Sequence, residues 1–269
     1  MQSYVAILLA TGVGVGFASG LLGVGGSFIM VPVIFWLIEA AGFLDVAMKV
    51  ALGTSLLVVL PTAMSGVWRH NKKHAVLWKA ALVLGSCGLA GALAGSTLAA
   101  HLPGHILKVG FGGLLLAAAL WMSLGKVVKP ASEVKEAKVK LSTLAACGFP
   151  MGIISGLAGI GGGMVMVPAM VLALGFPMHL AVGTSTAAII FTSLGGIIGY
   201  IINGVGVPGI PPHSIGYINL PIWLCLAATS VPMAQLGART AHALPAKQLR
   251  YIFVALTIYL GLRMVGVLS

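Results

Sequence analysis

Acid is nearly absent from this chain. Glu39, Asp45, Glu133 and Glu136 are its only carboxylates, and 7% of its 269 residues are charged, against roughly 25% in an ordinary soluble domain. A soluble globular fold is thereby excluded. The four acids fall in or near polar joints, so no carboxylate stands inside an apolar segment as a proton relay or a divalent-metal ligand. Cysteine is equally sparse. Cys87, Cys147 and Cys225 are isolated in apolar surroundings with no C-x-x-C, which reads as core packing. Neither H-E-x-x-H nor another catalytic signature occurs. An enzyme is not expected, nor a cofactor or a resident metal. The first residues, MQSYVAILLATGVGVG, have no basic residue ahead of their apolar run and no clear cleavage site, so they do not read as a removed signal peptide.

What is present is hydrophobic: 59% of the residues, in windows near the length of about 17 to 25 residues that crosses a bilayer. Ten apolar segments follow one another, near residues 4–22, 27–41, 46–69, 77–100, 105–125, 141–158, 163–175, 179–203, 219–242 and 247–268. The expected class is an all-α polytopic membrane protein, with the lipid bilayer as its partner. The second and seventh segments are short for full spans. A net charge of +11 invites nucleic acid, but the basic residues cluster in the joints between segments, where membrane orientation requires them. Nucleic acid is not an expected partner.

The chain repeats itself. GFASGLLGVGGSFIMVPVI from Gly16 recurs as GIISGLAGIGGGMVMVPAM from Gly152, with Ser19, Gly20, Gly23, Gly25, Gly26, Val31 and Pro32 answered by Ser155, Gly156, Gly159, Gly161, Gly162, Val167 and Pro168. ALGTS from Ala51 is answered by AVGTS from Ala181, and Leu102-Pro103 by Leu244-Pro245. The halves divide as residues 1–125 and 141–269, joined by a charged linker at 126–140. Five segments per half mean that the second half enters the membrane from the opposite side. If the joint at residues 69–79 is cytoplasmic, alternation puts all but Lys49, Lys108 and Arg263 of the 15 Lys and Arg residues inside. Both termini are then outside, and the fold class is two inverted-topology repeats of about five segments each.

Glycine and proline cost about 1 and 3 kcal/mol in a helix interior, yet both halves carry them in matching apolar segments near their starts. Broken backbone at membrane depth is tolerated only where protein or a water-filled cavity surrounds it, so the segments read as broken or re-entrant helices lining a substrate site. The new helices begin at Ser27 and Gly163, and their amide ends favour an anion. Gly23, Gly25, Gly26 and Ser27 form one candidate cradle, and Gly159, Gly161, Gly162 and Gly163 the other. The alternative is that these glycines only let helices pack closely.

Thr54 and Ser55, with Thr184 and Ser185, belong to the duplicated Gly-Thr-Ser elements. Their hydroxyls either complete the cradles as donors or bond back to helix carbonyls. Lys49 and His179 each stand one helical turn before those elements and either draw anions to the two mouths or act as interfacial side chains. Gln235 and Arg239 are four apart and either face the bundle interior together or anchor its cytoplasmic end. The small-residue run GLAGALAGS from Gly88 offers a close-packing face for a homodimer.

In Gly23-Val24-Gly25-Gly26-Ser27 with Val31-Pro32, and Gly159-Ile160-Gly161-Gly162-Gly163 with Val167-Pro168, each followed by Gly-Thr-Ser, the sequence resembles the sulfite exporter TauE/SafE family of membrane permeases over nearly its whole length. The first copy departs in having Ser27 where the second has Gly163, which adds a hydroxyl to one cradle. The resemblance implies movement of a small sulfur-containing anion, such as sulfite, sulfoacetate or another organosulfonate, across a bacterial inner membrane, with both termini periplasmic. Export driven by membrane potential needs no intramembrane acid. Proton-coupled sulfonate uptake, which would call on histidines such as His101, His179 and His242, and a non-transporting scaffold subunit are the alternatives.

Overall fold

The computed structural model describes residues 2–22, 25–124, 140–172, 174–240 and 246–267. Gly23, Leu244-Pro245 and most of the charged linker lie outside the described residues. Among the described residues ten helices follow in order: α1 (Gln2–Leu22), α2 (Ser27–Ala40), α3 (Ala47–Lys72), α4 (Trp78–His101), α5 (Gly104–Leu124), α6 (Leu141–Ala158), α7 (Gly163–Leu172), α8 (Met178–Ile202), α9 (Leu220–Thr240) and α10 (Ala246–Val265). Six of them, α3, α4, α5, α6, α8 and α9, are long and apolar enough to cross a membrane. The chain is a multi-pass helical membrane protein.

Two helices are too short to span. At 1.5 Å per residue, the 14 residues of α2 and the 10 of α7 reach roughly 21 and 15 Å, against a hydrocarbon core of about 30 Å. Each carries proline at its sixth residue, Pro32 and Pro168.

The packing pairs relate the two halves. α1 lies along α9 and α6 along α4, α3 packs on α9 and α8 on α4, and α2 packs on α3 and α7 on α8. Advancing every label by five carries this set onto itself. The pairings α3 with α8 and α5 with α10 map onto themselves.

Small residues make the close contacts. Gly12 and Gly16 of α1 sit against Leu226, Thr229 and Ser230 of α9, while Gly148, Gly152 and Gly156 of α6 sit against Leu84, Gly88 and Ala92 of α4. In lipid, where apolar burial contributes little between helices, such backbone approach is the main source of adhesion. Gly88, Gly91 and Gly95, the face offered above for a homodimer, are covered by α6 and α8 of the same chain.

The joint at residues 203–219 holds a feature absent from the sequence reading. β1 (Ser214–Ile215) and β2 (Ile218–Asn219) pair antiparallel around Gly216, whose φ of 56° suits the first position of a two-residue hairpin turn. Asn219 then caps α9, its Oδ1 accepting the Ile222 amide at 3.1 Å.

Candidate functional site

Both breaks are left-handed glycine turns. Gly25 and Gly26 have φ of 80° and 73°, and Gly161 and Gly162 have 73° and 93°, conformations that favour glycine because a Cβ there meets the following carbonyl. Gly159, at 61°, closes α6.

The two breaks meet in space. A methyl placed on Gly25 would lie 3.4 Å from the Ile160 carbonyl oxygen and 3.4 Å from Val59 Cγ1, and one on Gly161 would lie 2.9 Å from the same Val59 carbon. Val59 of α3 therefore stands between turns that are far apart in sequence. Gly25, Gly26, Ser27, Gly161, Gly162 and Gly163 are all buried. Thr192 of α8 donates to the Gly161 carbonyl at 2.7 Å and fixes that peptide.

Three hydroxyls beside the breaks are buried and have no hydrogen-bond partner among the described residues: Ser27 at the head of α2, Ser155 on α6 and Ser193 on α8. A methyl on Gly162 would lie 3.5 Å from Ser155 Oγ, and one on Gly161 would lie 3.2 Å from Ser193 Oγ. An unsatisfied buried hydroxyl costs about 1–3 kcal/mol. Sequence reading missed Ser193, and it quoted Ser155 only as a member of the duplicated block.

The Gly-Thr-Ser hydroxyls turn to backbone, and Ser55 alone of the four reaches a break, at the Gly159 carbonyl. Ser185 donates to Val182 O at 3.0 Å, and Ser55 to Leu52 O and Gly159 O at 2.8 Å each. Thr54 accepts the Asn219 amide at 2.9 Å, and Thr184 accepts the Leu77 amide at 3.0 Å. Asn219 immediately precedes α9 and Leu77 immediately precedes α4, so the two bonds are counterparts. The neighbouring glycines complete the match, since Gly53 abuts the Tyr217 carbonyl and Gly183 the Ala75 carbonyl with no room for a methyl. Each element is a clasp that holds the segment entering a helix of the other half.

Lys49 also has a structural post. Its Nζ donates to Ala100 O at 2.6 Å near the end of α4 and stands 5.7 Å from the Tyr217 ring centre. Burial pushes the Tyr217 phenol up from its ordinary range, which keeps it neutral beside that cation. The other two cations expected outside are likewise seated on rings, Lys108 over Phe35 at 4.7 Å and Arg263 over Trp36 at 4.3 Å. Arg239 is exposed and Gln235 half-buried, so the arginine lies at the surface and not in the bundle interior. The His179 side chain lies outside the described residues.

Six helices long enough to span and two short helices headed by glycine turns that meet in the interior describe a polytopic membrane protein. The pattern of the sulfite exporter TauE/SafE family matches residues 8–264, and the chain belongs to that family. Among curated relatives, a probable membrane transporter protein of Methanocaldococcus jannaschii is 32% identical over 260 residues, covering 96% of this chain and 94% of that protein. A probable membrane transporter protein of Haemophilus influenzae is 29% identical over 265 residues, covering 98% and 99%. The probable membrane transporter protein YunE of Bacillus subtilis is 30% identical over 214 residues, covering 74% and 78%. No solved structure matches the chain.

Proposed function

We propose that the chain exports sulfur-containing anions, such as sulfite, sulfoacetate or other organosulfonates, by alternating access driven by membrane potential. The observation that carries this reading is the meeting of the two glycine turns at Gly25, Ile160 and Val59. Helix α2 or α7 starts directly after each turn, and helix amide ends favour negative charge. Gly25, Gly26 and Ser27 make one cradle, and Gly159, Gly161, Gly162 and Gly163 the other. Ser55 holds the Gly159 carbonyl of the second cradle, while Thr54 and Thr184 clasp the entries to α9 and α4 and Ser185 bonds back to its own helix.

The frame of the proposal is two inverted repeats, residues 1–125 and 141–269, on either side of a cytoplasmic linker at 126–140. Both termini face the periplasm of a bacterial inner membrane. The set of helix pairings that survives advancing each label by five supports this frame. An inside-negative potential contributes about 2.3 kcal/mol per charge per 100 mV, a gradient of roughly 50-fold for a monoanion. The test is efflux of sulfite and of a small sulfonate from proteoliposomes under imposed voltage with the proton gradient held at zero. Faster efflux with the inside negative is expected; flux that appears only with a proton gradient would replace this mechanism by a coupled carrier.

A further inference from the structure

We infer that the second break is the oxyanion subsite, with the Ser155 and Ser193 hydroxyls as its donors, and that it selects a singly charged head such as a sulfonate or hydrogensulfite over a dianion. This rests on the transport reading above and names where and in what charge state the anion sits.

Two independent features converge there. The first is the start of α7, whose leading amides have no acceptor within their own helix. Its first turn closes on the Gly162 carbonyl, which accepts from Val165 at 3.1 Å and from Met166 at 2.8 Å. The second is the pair of hydroxyls that flank the turn from α6 and α8, both fully buried and both without a partner among the described residues. Buried hydroxyls are normally satisfied, and two left open on either side of one glycine turn have the chemistry of oxyanion donors. A methyl on Gly162 would first meet Ser155 and Met166, at 3.4 to 3.5 Å, ordinary contact distances. The Gly161 carbonyl, an acceptor that would repel an oxyanion at the turn, is held by Thr192.

Charge selection follows from what surrounds the pair. The buried polar side chains among the described residues are Ser, Thr, Asn and Tyr, all neutral groups. Neutral donors and a helix end offset about half an elementary charge, whereas a second negative charge in the same interior would lack any counter-ion and retain its full desolvation penalty. A sulfonate carries a single charge spread over three oxygens and matches two hydroxyls and a helix end.

The experiment compares methanesulfonate and sulfate as transported probes for wild-type protein, S155A, S193A, their double variant and S27A in proteoliposomes, with thermal midpoints measured alongside. Expected for wild type is saturable methanesulfonate flux with little sulfate flux. Each single change should raise KM for methanesulfonate about tenfold while leaving the thermal midpoint unchanged or higher, because it removes an unsatisfied hydroxyl. A structural role would do the opposite, lowering the midpoint and leaving KM alone. Wild-type transport with KM unmoved in both single variants overturns the subsite and leaves the transport reading standing, as does a KM rise confined to S27A. Sulfate moved as well as methanesulfonate overturns the charge selection. Wild-type protein that moves sulfite, methanesulfonate and sulfate no faster than empty liposomes overturns both readings.

Discussion

The two glycine turns are nearly the same in sequence and differ in how tightly they are held. At the first, Gly26 is the crowded position: a methyl there would run into the Val15 side chain and lie 3.0 Å from its carbonyl, while Gly25 meets its neighbours at 3.4 Å. At the second the order is reversed, with Gly161 pressed on Val59 at 2.9 Å and Gly162 in ordinary contact with Ser155. Both turns need glycine for their φ, but each uses a different glycine for packing. Duplication has preserved the backbone path while the side-chain surroundings have diverged, so equivalence in sequence does not carry equivalence of role.

The largest effects belong to the part of the comparison that is still symmetrical. Gly16 and Gly152 both face a neighbouring backbone, Ser230 and Gly88 respectively. G16A and G152A should each destabilise the protein by about 3 kcal/mol, read as parallel drops in the thermal midpoint of detergent-solubilised protein. A large drop in one and none in the other would break the correspondence of α1 on α9 with α6 on α4. Next in size is the contrast at the turns themselves. G26A combines backbone strain with overlap on Val15 and should lower stability by about 3 kcal/mol, whereas G162A carries only the strain of its φ, about 1 to 2 kcal/mol. G162A should therefore remain folded and lose flux, separating packing from transport. Equal midpoints for the two would remove the asymmetry.

Much of this layout was legible in the sequence, for physical reasons. Hydropathy marks the ten apolar segments because lipid requires them, and the glycine-proline pattern marks α2 and α7 as short because breakers are tolerated at depth only where protein covers them. The clasp was not legible. Whether Thr54 donates to its own helix, to a ligand or accepts from Asn219 depends on a partner 165 residues away, and nothing local encodes that choice. The hairpin at residues 214–219 was missed because each strand is two residues long and too short to show alternation. Ser193 was hidden by the same duplication that exposed Ser155, since the alignment of Gly183 with Gly53 sets Ala63 opposite it.

The clasps give a smaller and more even effect. T54V and T184V keep the shape of the side chain but strip the acceptor from the Asn219 and Leu77 amides, leaving a buried donor unpaired in each at a cost of about 1 to 2 kcal/mol. Hydrogen exchange should quicken at the entry to α9 in T54V and at the entry to α4 in T184V, each at its own segment. Faster exchange at both segments in either variant would mean that the clasps open together and do not act as separate ties.

The smallest expected effect is at Lys49, where a cation that looks suited to an anion path is engaged elsewhere. Its ammonium is held by the Ala100 carbonyl and by the Tyr217 ring, so K49M removes a hydrogen bond to a carbonyl near a helix C-terminus and a cation–π contact. Together these are worth about 1 kcal/mol at a partly solvated site, and the thermal midpoint should fall slightly. If Lys49 is only a brace, KM for methanesulfonate stays unchanged in K49M. A KM raised in K49M and matched by the wild type at high salt would instead make the lysine an attractor at the mouth. In that case the first half would supply electrostatic capture and the second half the seat, a division of labour sharper than the packing asymmetry of the two turns.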